Sequence, residues 1–387
     1  MAHRRHTVEA AAAALLLLVS VAAEAQVPVR PEWAEGIPGW GRLRAAQRAR
    51  SDLGRRVWAR GLVVAQDAKD RIHVLDPGEG TVTVYSPEGE RLEEFRPEGW
   101  EPLAPLPSLR GFATDARGGL YAAASRQTVV VFDRDRVLWR AAIPTFVTGV
   151  ALDGSTPVVA RIPARLSGDA PGLAEREDRL LAWLDEDGEV RSEAVPAEGA
   201  RGPDALSVAF SQRLLVASEP GGDTLWVVDQ TRRYRVRRLS SSGSVRASWI
   251  SDREVAPARF GAPDAAMREE AARRGMEEAS IRPVDAPELV RDIRARDGML
   301  WVLARIEGRS LTVVDTFDAD LEGPILRLAL EAPWPIRQLA VTADGLWVFP
   351  PDDRGTPRYT ERLPDWQLRE LAAGAPWPGT DEEPTGG

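Results

Sequence analysis

The feature that most restricts how this chain can fold is a unit of about 40 residues that recurs along it. One copy runs from Val63 to Phe95, VVAQDAKDRIHVLDPGEGTVTVYSPEGERLEEF. Others begin at Gly111 (GFATDARGGLYAAASRQTVVVFDRDRVLWRAAI), at Gly149 (GVALDGSTPVVARIP, resuming as RLLAWLDEDGEVRSEAV) and at Ser207 (SVAFSQRLLVASEPGGDTLWVVDQTRRYRVRRL). Two more begin at Asp292 (DIRARDGMLWVLARIEGRSLTVVDTFDADLEGPILRL) and at Gln338 (QLAVTADGLWVFPPDDRGTPRYTERL). Each copy holds short apolar runs of strand length, separated by Asp, Gly and Pro turns. A single such sheet cannot bury both of its faces, whereas repeated sheets packed face to face around an axis can. The expected fold is therefore all-β, a six-bladed β-propeller of four-stranded antiparallel blades over residues 61–370, with a helical insertion at 240–291 between blades four and five. A β-sandwich accounts less well for the fixed self-similarity.

Two turn signatures recur inside the units. Asp-x-x-Gly, as in Asp115-Ala116-Arg117-Gly118, joins first and second strands. Val84-Tyr85-Ser86-Pro87-Glu88-Gly89 and Trp183-Leu184-Asp185-Glu186-Asp187-Gly188 close third strands, and Val131-Phe132-Asp133 and Val227-Val228-Asp229 keep part of that pattern. Over roughly residues 60 to 363 the arrangement resembles the bacterial six-bladed NHL-like propellers. The resemblance implies the fold. It also brings in a branch of six-bladed propellers that are calcium-dependent lactonases or lyases, whose funnel calcium is held by Glu, Asp and Asn. This chain contains no Asn, and calcium accepts carboxylate and carbonyl shells. Calcium is therefore kept as the alternative to an expectation of no cofactor.

Residues 1–25 read as an export leader. Arg4 and Arg5 precede an apolar run from Ala10 to Ala23, and Ala23-Glu24-Ala25 is an A-x-A cleavage site that leaves Gln26 as the mature N-terminus. The run is too short to span a bilayer, and no cysteine follows it for a lipid anchor. The mature protein is expected to be periplasmic or secreted, monomeric and without a transmembrane segment. It has no cysteine, so packing alone must stabilise it there. A net charge of −9 argues against nucleic acid as a partner.

Beyond the leader, His73 is the one histidine. It falls in a second strand, aligned with Tyr121, Val159, Leu215, Trp301 and Trp347, which reads as a packing position rather than a reactive one. Thiol nucleophiles, His-rich zinc sites and any Ser-His-Asp triad not built on His73 are thereby excluded.

Up-down strand order sorts the long connections. Arg96–Arg110, Pro163–Asp178 and Ser240–Arg291 all emerge on one face, where a rigid scaffold usually carries binding. Second-strand ends around that rim offer Asp76, Arg126, Arg161, Glu219, Arg305 and Asp352 as candidate ligand-binding residues, with the arginines suited to bidentate recognition of a carboxylate, sulfate or sugar acid. Pro263–Glu278 reads as a charged helix with Asp264 as N-cap, lying across the mouth. Arg232–Arg238 is expected on an outer fourth strand, guarding a sheet edge. Residues 26–60 hold a candidate ring-closing strand at Val57-Trp58-Ala59 that would complete blade six, and 371–387 read as a disordered tail. The functional expectation is a non-enzymatic exported scaffold that binds a protein, peptide or anionic glycan on the long-loop face. The alternative is a degenerate calcium-dependent lactonase-like or lyase-like hydrolase using funnel carboxylates.

Overall fold

The structure is a computed structural model that describes residues 32–48, 50–59, 61–102, 109–125, 127–143, 147–161, 179–196, 214–229, 233–254, 259–260, 284–285, 290–305, 311–351, 353, 355–361, 370–371 and 373. It is an all-β, six-bladed propeller. Blades one to four are four-stranded antiparallel sheets. Blade one comprises Val63–Gln66, Ile72–Asp76, Thr81–Tyr85 and Arg91–Phe95, from the axis outward. Blade two comprises Gly111–Thr114, Leu120–Ala124, Thr128–Asp133 and Val137–Ala142, and blade three Val147–Asp153, Thr156–Arg161, Arg179–Leu184 and Val190–Pro196. Blade four comprises Leu214–Ser218, Thr224–Asp229, Arg233–Ser240 and Val245–Glu254. Blade five runs Val290–Arg296, Met299–Arg305, Thr312–Phe317 and Leu326–Glu331, and blade six Gln338–Val341, Gly345–Phe349 and Arg358–Glu361. The six inner strands pack side by side in a closed ring, with blade six against blade one.

Middle strands face a neighbouring blade on both sides, so both of their faces must be apolar. That is why Thr128–Asp133 and Met299–Arg305 read as unbroken hydrophobic runs, whereas the outer strand Val137–Ala142 alternates between exposed and half-buried. Six buried apolar clusters result, one at each blade interface. At the first interface Leu75, Val82 and Val84 meet Phe112, Tyr121 and Phe132, and the last three rings stack. The third-to-fourth-strand glycines serve these interfaces. Gly89 sits at φ +89°, and a Cβ there would come within 2.6 Å of the Trp347 ring of blade six. Only glycine allows both that backbone angle and that approach.

Blade four is shifted relative to the sequence reading. Leu214–Ser218 is its inner strand, not its second, so Trp226 rather than Leu215 is the counterpart of His73, Tyr121, Trp301 and Trp347. The Leu225-Trp226-Val227 run matches Leu300-Trp301-Val302 and carried that signal. Arg233–Ser240 is accordingly a third strand flanked by Val245–Glu254, not an exposed fourth strand. Arg237 is 7% exposed and donates to Asp229 Oδ2 at 2.6 Å, so this cluster is internal structure rather than edge protection. Among the described residues the helical segments are a 3₁₀ turn at Glu32–Ala34, one helical turn at Asp52–Arg55 and the pair Glu370 and Leu371. The helix expected at Pro263–Glu278 lies outside the described residues, as do residues 374–387 of the expected tail, whereas Leu371 is buried against the interface of blades five and six.

Ring closure also departs from expectation. The strand that the N-terminal segment contributes is Gly39–Arg44, which adds in parallel to the outer strand of blade five, and Val57-Trp58-Ala59 is not a strand. The segment then bridges blade six, where Ala46 and Tyr359 exchange backbone hydrogen bonds at 2.8 and 2.9 Å. It ends on blade one, where the Leu53 amide donates to Gly89 O and Arg56 donates to Thr83 Oγ1 and the Tyr85 hydroxyl. Inside the ring, two glutamines sew blade six to blade one. Gln338 accepts from the Val64 amide and donates to Leu62 O, and Gln66 does the same to Val341 N and O at the other end.

Replacing Gln338 by leucine leaves the Val64 amide and Leu62 carbonyl without these partners at the seam. The expected cost is about 1–3 kcal/mol in urea unfolding, with the exposed outer-strand change Leu138→Gln near neutral. A Gln338→Leu protein as stable as wild type would refute the role of this pair in closure.

Candidate functional site

His73 occupies the second strand of blade one, as its alignment implied, but it does more than fill space. Its Nε2 faces Asp67 Oδ2 at 3.2 Å and its Nδ1 faces the Tyr121 hydroxyl of blade two at 3.2 Å. The Asp67 carboxylate also accepts from the Lys69 and Arg71 amides and from Arg71 Nε at 2.6 Å, while Tyr121 donates to Gly118 O at 2.7 Å. The order resembles a proton relay. Exposures of 1% for Asp67 and 0% for His73 and Tyr121 leave no route for a substrate, so the network clamps two blades. Burial holds the imidazole below its ordinary pKa, against the pull of Asp67, and pushes the Tyr121 hydroxyl up.

The described rim residues expected from sequence have separate settings. Asp76 caps its own turn, its Oδ1 accepting from the Gly78 and Glu79 amides. Arg161 pairs with Glu193 across blade three. Arg305 is exposed at the end of the second strand of blade five. Glu219 is a correction: it follows the inner strand of blade four, so it lies on the opposite, short-turn face, where its Oε1 accepts from the Gly298 amide at 2.6 Å. Arg126 and Asp352 lie outside the described residues. Asp76, Arg161, Glu219 and Arg305 are all absent from the axial lining.

What the structure does bring together is the beginning of the inner strands. Antiparallel order puts those beginnings on the face that also carries the connections 96–110, 162–178, 197–213 and 255–289. A cavity of about 330 Å³ opens there on the axis, lined by all six blades. Among the described residues its charged lining is Arg110, Arg291, Arg294, Arg337 and a single carboxylate, Asp292. Asp292 is engaged by Arg294 Nη1 at 2.9 Å and by the amides of Ile293 and Leu339, and burial raises its pKa. Arg294 reaches across three inner strands, donating to Ile293 O, Leu339 O and Val64 O. Arg291 donates to Ile336 O at 2.6 Å. Phe112, Val150 and Leu215 of blades two, three and four also border it, and Phe112 and Val150 are buried in the clusters between blades. These arginines were legible as the residues at the start of inner strands, in Arg110-Gly111, Arg291-Asp292 and Arg337-Gln338. The sequence reading looked for the site at second-strand ends, which lie farther from the axis. Among the described residues no three His, Asp or Glu side chains group as a metal site.

The clamp makes stability depend on pH with a definite sign. A histidine whose folded pKa lies below its unfolded value of about 6.5 contributes stability above that pH, and the contribution is lost as pH falls toward the folded value. His73→Phe follows the repeat's own preference for an aromatic ring. It is expected to cost about 1–3 kcal/mol at neutral pH and to flatten the fall in stability below pH ~6.5. Equal slopes for the two proteins in urea titrations over that window would refute the assignment.

No family model and no curated protein matches the chain. Among solved structures it is similar to hydrazine synthase of Kuenenia stuttgartiensis, at 12% identity and a TM-score of 0.43, over 75% of this chain and 74% of that one.

Proposed function

We propose that the mature chain is an exported, non-enzymatic propeller that captures an anionic partner, a protein, peptide or glycan, on its long-loop face. One observation carries this reading: among its described lining residues, the axial mouth on that face holds four guanidinium groups and one carboxylate that is already engaged. Clefts lined by one sign of charge focus the field and draw in ligands of the other sign, even on a protein whose net charge is −9. The arginine fork also suits carboxylate and sulfate groups. Export is supported by the leader pattern, and no helix among the described residues is long and apolar enough to cross a membrane. A funnel calcium site needs converging carboxylates, and this mouth supports the opposite charge.

The test uses protein beginning at Gln26, immobilised and presented with polygalacturonate, poly-glutamate and neutral dextran. Retention of both polyanions is expected, weakening as salt rises from about 0.05 to about 0.5 M because screening shortens the reach of charge, with no retention of dextran. Equal retention of dextran would overturn the reading. A melting temperature that rises with millimolar calcium over EDTA would favour the hydrolase instead; the expected melts coincide.

A further inference from the structure

The N-terminal segment that straps the ring from outside carries positive charge on its exposed side. Residues 39–50 hold Arg42, Arg44, Arg48 and Arg50 and no acidic residue, on a chain whose net charge is −9. Strand alternation sorts them. Leu43 and Ala45 are each 7% exposed and belong to the core cluster between blades five and six, while Arg42 and Arg44 are exposed. Arg48 lies over the Tyr359 ring. Among the described residues, the side chains of Arg42, Arg44 and Arg50 make no hydrogen bond or ion pair, in contrast to the buried pairs Arg237–Asp229 and Arg327–Asp315. Glu331 stands opposite Arg44 in register without pairing with it. Gly39–Arg44 is also the edge of its five-stranded sheet, with a strand neighbour on one side only among the described residues. A charged edge of this kind resists pairing with a neutral strand and suits an acidic segment.

Such a segment lies within the same chain. Leu371 is 1% exposed in the cluster that also holds Leu43 and Ala45, so the chain after it starts from the interface that the strap covers. Ten residues further on stand Asp381, Glu382 and Glu383, and residues 374–387 contain no lysine or arginine. Ten residues reach at most about 33–36 Å, whereas the six-residue strand Gly39–Arg44 is only about 20 Å long. A short tether also gives an effective concentration on the order of millimolar, at which weak surface pairs act together. We infer that residues 381–383 dock on the exposed side of the strap, with their carboxylates facing Arg42, Arg44 and Arg50. The contact is an intramolecular mask: it occupies a cationic edge that another anionic chain would otherwise take. It is separate from the axial mouth and does not depend on the binding reading above.

The chain has no cysteine, so a pair of spin labels can be placed without background. In protein beginning at Gln26, labels on Ala46→Cys and Thr385→Cys report the distance from strap to acidic segment. Labels on Leu138→Cys and Thr385→Cys give the comparison across blade two. A freely moving stretch of 14 residues would spread over roughly 19–22 Å r.m.s.. Docking is expected to give the strap pair a narrow distribution at about 0.05 M salt that broadens at about 0.5 M, as screening shortens the reach of charge. The same broadening is expected at low salt from Asp381→Asn, Glu382→Gln and Glu383→Gln together, and separately from Arg42→Gln, Arg44→Gln and Arg50→Gln together. Both sets change surface charge alone and are expected to leave the melting temperature within about a degree or two of wild type, so a lost contact is not lost folding. A broad distribution that salt does not alter overturns the inference. A narrow one that survives either set of changes does so too, because these charges would then not carry the contact. Broadening by the carboxylate changes but not by the arginine changes also overturns it and moves the acidic segment to the arginines of the axial mouth.

Discussion

Closure of the ring is the constraint on which everything else in this protein depends. Six sheets packed around an axis have six interfaces, and five of them join blades adjacent in sequence. The sixth, between blades six and one, joins residues more than 270 apart, as the hydrogen bonds from Val64 to Gln338 and from Gln66 to Val341 show. Its loop-closure entropy must be offset by contacts that form only when the ring is complete. The chain supplies three sets of these. Trp347 packs on Gly89 and donates to Pro87 O at 2.8 Å, reciprocal glutamines tie the inner strands, and the N-terminal strap runs over blades five, six and one from outside. Among the described residues blade six has three strands of its own, and the strap bridges to the third of them through Ala46 and Tyr359.

The strap shows why closure was the least legible part of the fold. Trp33, Trp40 and Trp58 mark the N-terminal segment as something that must be buried, and it is: Trp40 is 9% and Trp58 1% exposed. Which edge such a segment joins is decided by the geometry of the finished ring. Parallel addition of Gly39–Arg44 to blade five leaves no local pattern, because its partner lies nearly 290 residues away in Leu326–Glu331. The repeats, by contrast, were legible because each blade must present the same residue classes to its neighbours. A large ring at the second-strand position, His73, Tyr121, Trp226, Trp301 or Trp347, is part of that requirement. Blade four was misread by one strand only because an apolar stretch around Val208 resembled an inner strand, although the Leu225-Trp226-Val227 signature stood in plain view.

His73 illustrates a subtler limit. Its alignment with aromatic residues correctly marked a structural position, and nothing in the spacing from Asp67 to His73 announced a hydrogen bond between them. Both side chains come from one blade and are joined to Tyr121 of the next only by the packing of the two sheets. A buried polar trio of this kind gains specificity of register between blades at the expense of acid resistance, since the imidazole must stay uncharged to remain where it is.

The candidate site was half legible for the same reason. The face was deducible from strand order, but the residues were not, because a propeller's axis is lined by inner strands whose free edges have their own needs. Inner-strand amides and carbonyls have no sheet neighbour on the axial side, and buried backbone groups require partners. Blades two and three meet this with glycine and close approach: a Cβ on Gly111 would come within 2.7 Å of the Val150 amide. Blades five and six meet it with long polar side chains, Arg291, Arg294 and Gln338. The guanidinium groups that blades five and six bring to the mouth are therefore a direct consequence of how that half of the ring satisfies its inner edge. An arginine placed to hold a carbonyl across the seam uses some of its five donors and brings its whole charge to the mouth. Ring closure and the guanidinium groups among the described residues of the axial mouth are thus supplied by the same side chains, Arg291 and Arg294.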